Sequence, residues 1–499
     1  MKKFDLDTPL IQFEDSTGKH AWAIRNAVEG VQIFGGIGSG KTSGSGRTLA
    51  IKYLTAGFGG LVLTVKPDEK DMWKYYCEVT GRSSDLVIIE PGGEYGFDFL
   101  QYLSSQKNSE TPITANILET LKTVIRASEE KSSGRSDDPF WEKSLDMLLF
   151  HVIDLCSIAY GNTSVQTMYD IVQTLPKLTT APKEDNKATA FESAFKKAKA
   201  IVEVEIEKWY KTLSQFQKDA LGEEEEFEEA VMDAIPQARL LKFLDTFFFE
   251  TFKNLSDKTR SIIEFSFNGF LFQLLREPIY SMFCKTKKNV RPEDSLEGKI
   301  ILINLPVKLY NKVGKDCQTL FKYIWQVEME KRNALTNDRP VFLWADEAQN
   351  FFTEHDPIFQ ATARSSLVAT VYITQNLPNY HMAMGGSKTD DRVKGFLGTL
   401  GTKIFHANGD IETNKYASEL IGDAFFYDPS RSVTTAEKFS RSDSVGLKLD
   451  RRIRPEEFIC LKTGGERNNY RVEAYIQVQG DQLFEGGNFK KVKFNQKYN

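Results

Sequence analysis

The sequence predicts an α/β protein: a mostly parallel sheet flanked by helices, with an all-α domain inserted into it. Three observations predict this. The apolar run at 31–34 meets a glycine cluster and then a stretch whose apolar residues recur at helical spacing. Further β-branched apolar runs of strand length follow, as strands buried on both faces of a sheet require. From about 105 to 295 that texture gives way to long helical periodicity, and after 295 the strand runs return.

Taken in order, VQIF (31–34) reads as a strand, GGIGSGKT (35–42) as a loop, and TLAIKYLTAG (48–57) as a helix that Gly57 ends. LVLTV (61–65) and DLVIIE (85–90) continue the sheet. In the helical region, FWEKSLDMLLFHVIDLCSIAY and ESAFKKAKAIVEVEIEKWYKTL carry the 3.6-residue period, SEEKSSGRSDDP (128–139) reads as a mobile loop, and EEEEFEE (223–229) as a solvated helix face. The sheet resumes with KIILINL (299–305), VFLWA (341–345), VATVYIT (368–374), TKIFHAN (402–408) and YRVEAYIQV (470–478), and the basic tail FKKVKFNQKYN reads as frayed and solvated. The expected organisation is a nucleotide-binding domain from 1–104 and 296–499, split by an all-α domain over 105–295.

Composition narrows the function classes. With 499 residues, 41% hydrophobic, 27% charged, and 34 Gly against 16 Pro, the chain is long enough for several domains and is neither collagen-like nor disordered throughout. Lys+Arg 64 against Asp+Glu 69 gives a net charge of -5, so any nucleic-acid contact must be a local patch. Five scattered cysteines with no C-x-x-C argue against a zinc site or a disulfide framework and point to a reducing, intracellular compartment. No apolar run reaches the roughly 18 residues that a membrane span needs, so the expected location is cytoplasmic, or peripheral at a membrane through a partner.

Gly35-x-x-x-x-Gly40-Lys41-Thr42 is a complete phosphate-binding loop between a strand and a helix. Glycines let backbone N–H groups turn toward phosphate oxygens, and the helix N-terminus adds positive potential. Gly35, Gly36, Gly38, Ser39, Gly40, Lys41, Thr42 and Ser43 are the expected ATP-binding residues, with Lys41 on the β/γ phosphates and the Thr42 hydroxyl on Mg²⁺. Three hundred residues later Asp346 and Glu347 end the VFLWA strand. An acidic pair there is by itself more often a helix cap. Beside a phosphate-binding loop, it supplies a Mg²⁺ ligand (Asp346) and a general base for water (Glu347). Gln375 ends the next strand and can sense the γ-phosphate. Arg364, in ATARSSL, is either a surface residue or an arginine finger for a neighbouring subunit.

GGIGSGKT, VFLWADEAQNF, ATARSSLVATVYITQNLPNY and IFHANGDIETNKYASELIG together resemble the type IV secretion coupling ATPases of the TraG/TraD group, within the FtsK/HerA motor superfamily. The resemblance extends over most of the chain. It implies a RecA-like P-loop NTPase fold and a homo-hexameric ring that moves DNA, single- or double-stranded, by hydrolysing ATP with Mg²⁺ at subunit interfaces. It also implies relaxase or secretion-channel partners. The family's metal-binding acid falls on Asp346, its catalytic glutamate on Glu347, its phosphate-sensing glutamine on Gln375 and its proposed arginine finger on Arg364. Members typically carry N-terminal transmembrane helices, whereas the 34 residues before Gly35 are polar here. Another service therefore stays open, such as a HerA-like DNA-processing or defence motor.

For DNA contact the candidates are the loop MAMGGSKTDDRVKG (382–395), with Lys388, Arg392 and Lys394, and a basic stretch holding Arg431, Arg441, Arg451, Arg452 and Arg454, suited to phosphate or subunit contacts. A floppy surface turn explains the loop equally well, and for the basic stretch solvated charge near an interface is the slightly better reading. Two other classes compete with a motor: a nucleotide-gated adaptor that recruits cargo, and a small-molecule kinase. Glu347 beside Asp346 suits activation of water better than transfer to a substrate hydroxyl.

Overall fold

The computed structural model describes residues 4–15, 18–106, 113–128, 139–177, 188–222, 224–385, 388–435, 439–480, 483–484 and 487–497. Most of the loop expected at 128–139 lies outside these residues. The chain packs as two compact units, 1–88 with 292–499, and 89–291.

Fifteen strands are described: β1 (Pro9–Asp15), β2 (Gly18–Ala23), β3 (Val31–Phe34), β4 (Gly59–Leu63), β5 (Leu86–Ile89), β6 (Tyr95–Gly96), β7 (Lys288–Asn289), β8 (Ile300–Ile303), β9 (Val341–Ala345), β10 (Val368–Thr374), β11 (Thr402–His406), β12 (Asp423–Thr435), β13 (Phe439–Arg451), β14 (Arg471–Val478) and β15 (Phe489–Asn495). The main sheet of the first unit runs β15-β14-β11-β3-β10-β9-β4-β8-β5. Its centre, β11-β3-β10-β9-β4-β8, is parallel throughout, and β14 and β15 are antiparallel additions at one end. Every residue of these six central strands is buried, which is why they read as continuous apolar runs rather than as alternating ones.

The core on one sheet face is aromatic. Trp73 stacks on Phe342 at 5.6 Å and meets Trp344 edge-on at 5.3 Å, Tyr53 stacks on Phe58 at 4.9 Å, and the buried Trp22 indole donates to the Thr402 hydroxyl at 3.0 Å. Beneath the segment after β9 lies a buried charge network. Lys322 donates to both Asp356 carboxylate oxygens, at 2.7 and 2.6 Å, and to the Phe351 carbonyl at 2.6 Å. Asp356 also accepts from the Thr353 backbone N–H and hydroxyl and from Gln326. Burial lowers the Lys322 pKa, and the Asp356 charge opposes that shift.

Three local expectations are corrected. The tail read as frayed is largely strand β15, with Val492 and Phe494 buried, so its lysines decorate a sheet edge. The loop read over 382–395 is mostly helical: helices Leu377–Met384 and Thr389–Gly398 cover it, and Lys394 is engaged by Asp390 at 2.6 Å. The polar N-terminal segment holds a hairpin, β1 on β2, that the sequence did not announce. Residues 386–387 lie outside the described set.

The second unit is helical, with helices that include Ile113–Ser128, Pro139–Tyr160, Val165–Gln173, Ala190–Thr212, Glu224–Ala234, Pro236–Asp245 and Asp257–Leu274, and the two-residue strands β6 and β7 pair within it. The helix Ala190–Thr212 opens with a full capping box between Thr189 and Glu192. Its Phe191 and Phe195 pack against Phe248 and Phe249, and the buried His151 ring stacks on Phe247 at 3.9 Å. Among the described residues, no single helix is long and apolar enough to cross a membrane.

Candidate nucleotide-binding site

Four adjacent parallel strands, β3, β10, β9 and β4, end at the same edge of the sheet, where open α/β folds bind ligands. The phosphate-binding loop leaves β3 there. Its first residues are pinned by neighbours: Gly35 N–H donates to the Thr374 carbonyl and Gly36 N–H to the Ala407 carbonyl. A Cβ on Gly35 would meet the Ser39 hydroxyl at 2.4 Å, and one on Gly40, at φ +82°, would meet Val472 of β14 at 2.6 Å. The loop thus packs closely against β14, and a side chain at either position would force its neighbours to shift. A π-helical turn at Thr42–Gly46 leads into the helix Arg47–Thr55, whose axis starts at the loop.

The acidic pair comes to this loop from β9. Thr42 Oγ1 donates to Asp346 Oδ2 at 2.9 Å, and Lys41 Nζ lies 3.7 Å from Glu347 Oε1. Gln375, at the end of β10, donates to the Glu347 carboxylate at 3.3 Å, and Gln349 donates to it at 2.9 Å. Gln349 is held in turn by the Thr374 hydroxyl at 2.8 Å. Glu347 sits at φ 49°, ψ 51°, a left-handed conformation that costs a residue with a side chain on the order of 1 kcal/mol or more. Its backbone is fastened on both sides, with its N–H on Asp346 Oδ1 at 2.9 Å and its carbonyl accepting from the Asn350 amide at 2.8 Å. This local strain turns the carboxylate toward the loop.

Electrostatics divide the pair. Burial pushes the Asp346 carboxyl up from its ordinary value, against the pull of Lys66, Lys41 and the Thr42 hydroxyl. Burial also works against charge on Glu347, but the hydrogen bond from Gln349, the Lys41 ammonium and the bond from Gln375 outweigh it, and its pKa lies below the usual glutamate value. Glu347 is therefore an ionised acceptor at neutral pH. For a divalent cation, the Thr42 hydroxyl and the buried Asp346 carboxylate offer the hard oxygen donors that Mg²⁺ takes, already 2.9 Å apart. The residues present fit that ion.

Of the expected site residues, the fold brings Gly35, Gly36, Gly38, Ser39, Gly40, Lys41, Thr42, Asp346, Glu347 and Gln375 together. Ser43 faces away from the acids, its hydroxyl accepting from Gln496 at 2.7 Å. Arg364 is not brought in. It caps the helix Asp356–Ala363 just before β10 begins, at the opposite edge of the sheet, is 69% exposed in its side chain and lies 3.5 Å from Glu29. Three contributors went unread in the sequence. Lys66, just after β4, reaches Asp346 at 3.8 Å; His406, held neutral by burial that lowers it to about 3, bonds the Ser45 hydroxyl at 2.7 Å; and Asn408 donates to the Gln375 carbonyl at 2.8 Å. The one signal for Lys66 was its place directly after an apolar strand.

Residues 340–460 match the family model described as the TraM recognition site of TraD and TraG. Over that stretch the chain is similar to TraD and TraG. The fold of the chain is similar to that of the bacterial conjugative coupling protein TrwBdeltaN70 in its unbound form: TM-score 0.61 at 12% identity, covering 100% of this chain and 90% of that one. The plasmid coupling protein TrwB in complex with the non-hydrolysable ATP analogue ADPNP matches with TM-score 0.58 at 13% identity, over 95% of this chain and 87% of that one. TrwB in complex with ADP and Mg²⁺ matches with TM-score 0.55 at 12% identity, over 96% and 87%. No curated protein sequence matches.

Proposed function

We propose that the chain is an ATP-hydrolysing coupling motor that recruits and moves DNA, or a protein–DNA substrate, in conjugative type IV secretion. The observation that carries this reading is the convergence of Lys41, Thr42, Asp346, Glu347 and Gln375 on one edge of the sheet, with Thr42 and Asp346 2.9 Å apart. The ADPNP and ADP–Mg²⁺ complexes of TrwB support ATP and Mg²⁺ as the ligands. Bound Mg²⁺ neutralises charge developing on the β/γ oxygens. The chain's own residues do the rest: the loop and Lys41 hold the triphosphate, Thr42 and Asp346 hold the ion, Glu347 takes a proton from the attacking water, and Gln375 reports whether the γ-phosphate is present.

In this reading, residues 1–104 and 296–499 form the nucleotide-binding domain, 105–295 the all-α domain, and the working particle is a homo-hexameric ring engaging a relaxase or secretion-channel protein. The test is phosphate release by the purified chain titrated with single- and with double-stranded DNA. Stimulation by either supports a motor; turnover indifferent to both, with ATP still bound, supports a nucleotide-gated adaptor.

The remoteness of Arg364 from its own chain's loop gives a sharper prediction. Arg364→Ala is expected to bind ATP normally and to lose about 10³-fold or more in turnover, the scale of an arginine finger. Mixing it with Glu347→Gln is expected to restore part of the activity, because some junctions then pair an intact Arg364 with an intact Glu347. Absence of recovery at every mixing ratio would rule out action across an interface.

A further inference from the structure

Strands β12 and β13 form a separate two-stranded sheet, thirteen residues long on each side. Directly opposed residues share a face. The register sets Phe425 against Leu449, Tyr427 against Leu447 and Pro429 against Val445 on one face; Phe426 against Lys448 and Asp428 against Gly446 lie on the other. The alternation of apolar with polar residues is the pattern of a strand that buries one face. Yet Phe425 is 70% exposed, Tyr427 79%, Leu447 66%, Leu449 57% and Val445 67%. A lone hairpin is marginal in water without such burial.

The remaining surface restricts what can cover this face. The charges at the hairpin base are already spent. Arg451 pairs with Asp423 at 3.0 Å and Glu419 at 3.6 Å, and Asp450 pairs with Arg454 at 2.6 Å and Lys448 at 3.3 Å. Arg451 and Arg454, singled out as phosphate contacts, thus offer little free charge to a polyanion. The apolar band lies at the base, and the sequence toward the tip, SRSVTTAEKFSRSDS, is polar, the reverse of a hairpin that dips into a bilayer.

What is left is apolar protein surface. The five exposed side chains present on the order of 600 Å², most of the ~800 Å² that each partner contributes to a standard stable interface. Thirteen residues reach about 44 Å, far enough to lie on a neighbouring molecule.

We infer that the apolar face of the β12–β13 hairpin docks on a second copy of this chain and is a subunit contact of its assembly. The contact rests on the motor reading only in taking copies of the chain to be partners, and its face repeats head-to-tail around a ring.

The test uses the triple variant Phe425→Ser, Tyr427→Ser, Leu447→Ser in the full chain, with assembly followed by analytical ultracentrifugation in the presence of ATP and Mg²⁺. Wild type is expected to assemble, and the variant to need at least ten-fold more protein to do so while binding ATP as wild type does. Assembly unchanged by the three substitutions overturns the contact, as does a wild type that stays monomeric at every concentration while hydrolysing ATP; that second result leaves the ATPase assignment intact. Should the variant fail to fold, hydrogen exchange on wild type decides: amides of 423–429 and 445–451 are expected to become protected as concentration rises, and unaltered exchange overturns the contact. Anionic phosphatidylglycerol vesicles and duplex DNA serve as rival probes, and protection by either on the monomer overturns it too.

Discussion

Glu347→Gln is expected to bind ATP with close to wild-type affinity and to hydrolyse it about 10²–10⁴-fold more slowly, the usual contribution of a positioned general base. The substitution keeps the shape and one acceptor oxygen for the bonds from Gln349 and Gln375, turns the other oxygen into a donor NH2, and removes the charge that Lys41, 3.7 Å away, helps to maintain. Lys41→Ala should behave differently. It takes away the one loop ammonium and is expected to abolish nucleotide binding and turnover together. Filter binding of labelled ATP beside a phosphate-release assay separates the two. Equal loss of binding in both variants, or full turnover in either, would contradict the division of labour between the lysine and the glutamate.

Lys322→Met is expected to destabilise the first compact unit by about 3–5 kcal/mol, because it strands a fully buried carboxylate. Asp356 would keep its bonds from Thr353 and Gln326 but lose its only counter-charge among its described partners. Replacing both members, Lys322→Met with Asp356→Leu, should recover part of that loss, since a buried pair exchanged for apolar groups is often close to neutral. Urea denaturation followed by tryptophan fluorescence reads both, with Trp344 and Trp325 buried in the same unit. A double variant no more stable than the single would show that Asp356 matters for its neutral hydrogen bonds rather than its charge.

Much of this architecture is written plainly in the chain. The central strands were legible because burial on both faces favours apolar and β-branched residues, so VQIF, VFLWA and VATVYIT stand out. The phosphate loop and the acidic pair were legible because their chemistry fixes both residue type and place beside a strand. The strand β15 was not, since FKKVKFN places four lysine or asparagine side chains on a solvated edge and so resembles a tail. Lys66 and Asn408 were equally opaque: their roles come from the order in which β4, β9, β10 and β11 lie in the sheet, which no local pattern encodes. The place of Arg364 at the far edge of the sheet likewise required the topology.

The threading of the sheet also bears on how the molecule is made. β3 emerges within the first 34 residues, but its neighbours β10 and β11 are synthesised more than 330 residues later, and Val472, which closes over Gly40 and Gly44, later still. At about 5–20 residues per second, translation from Thr42 to Val472 takes roughly 20–90 s. Until β10 and β11 are made, β3 lacks the strands that pair with it on both sides, and until Val472 is made the loop lacks the side chain that closes over it. The glycine loop is therefore completed by the last part of the chain to be synthesised, not by the segment that encodes it.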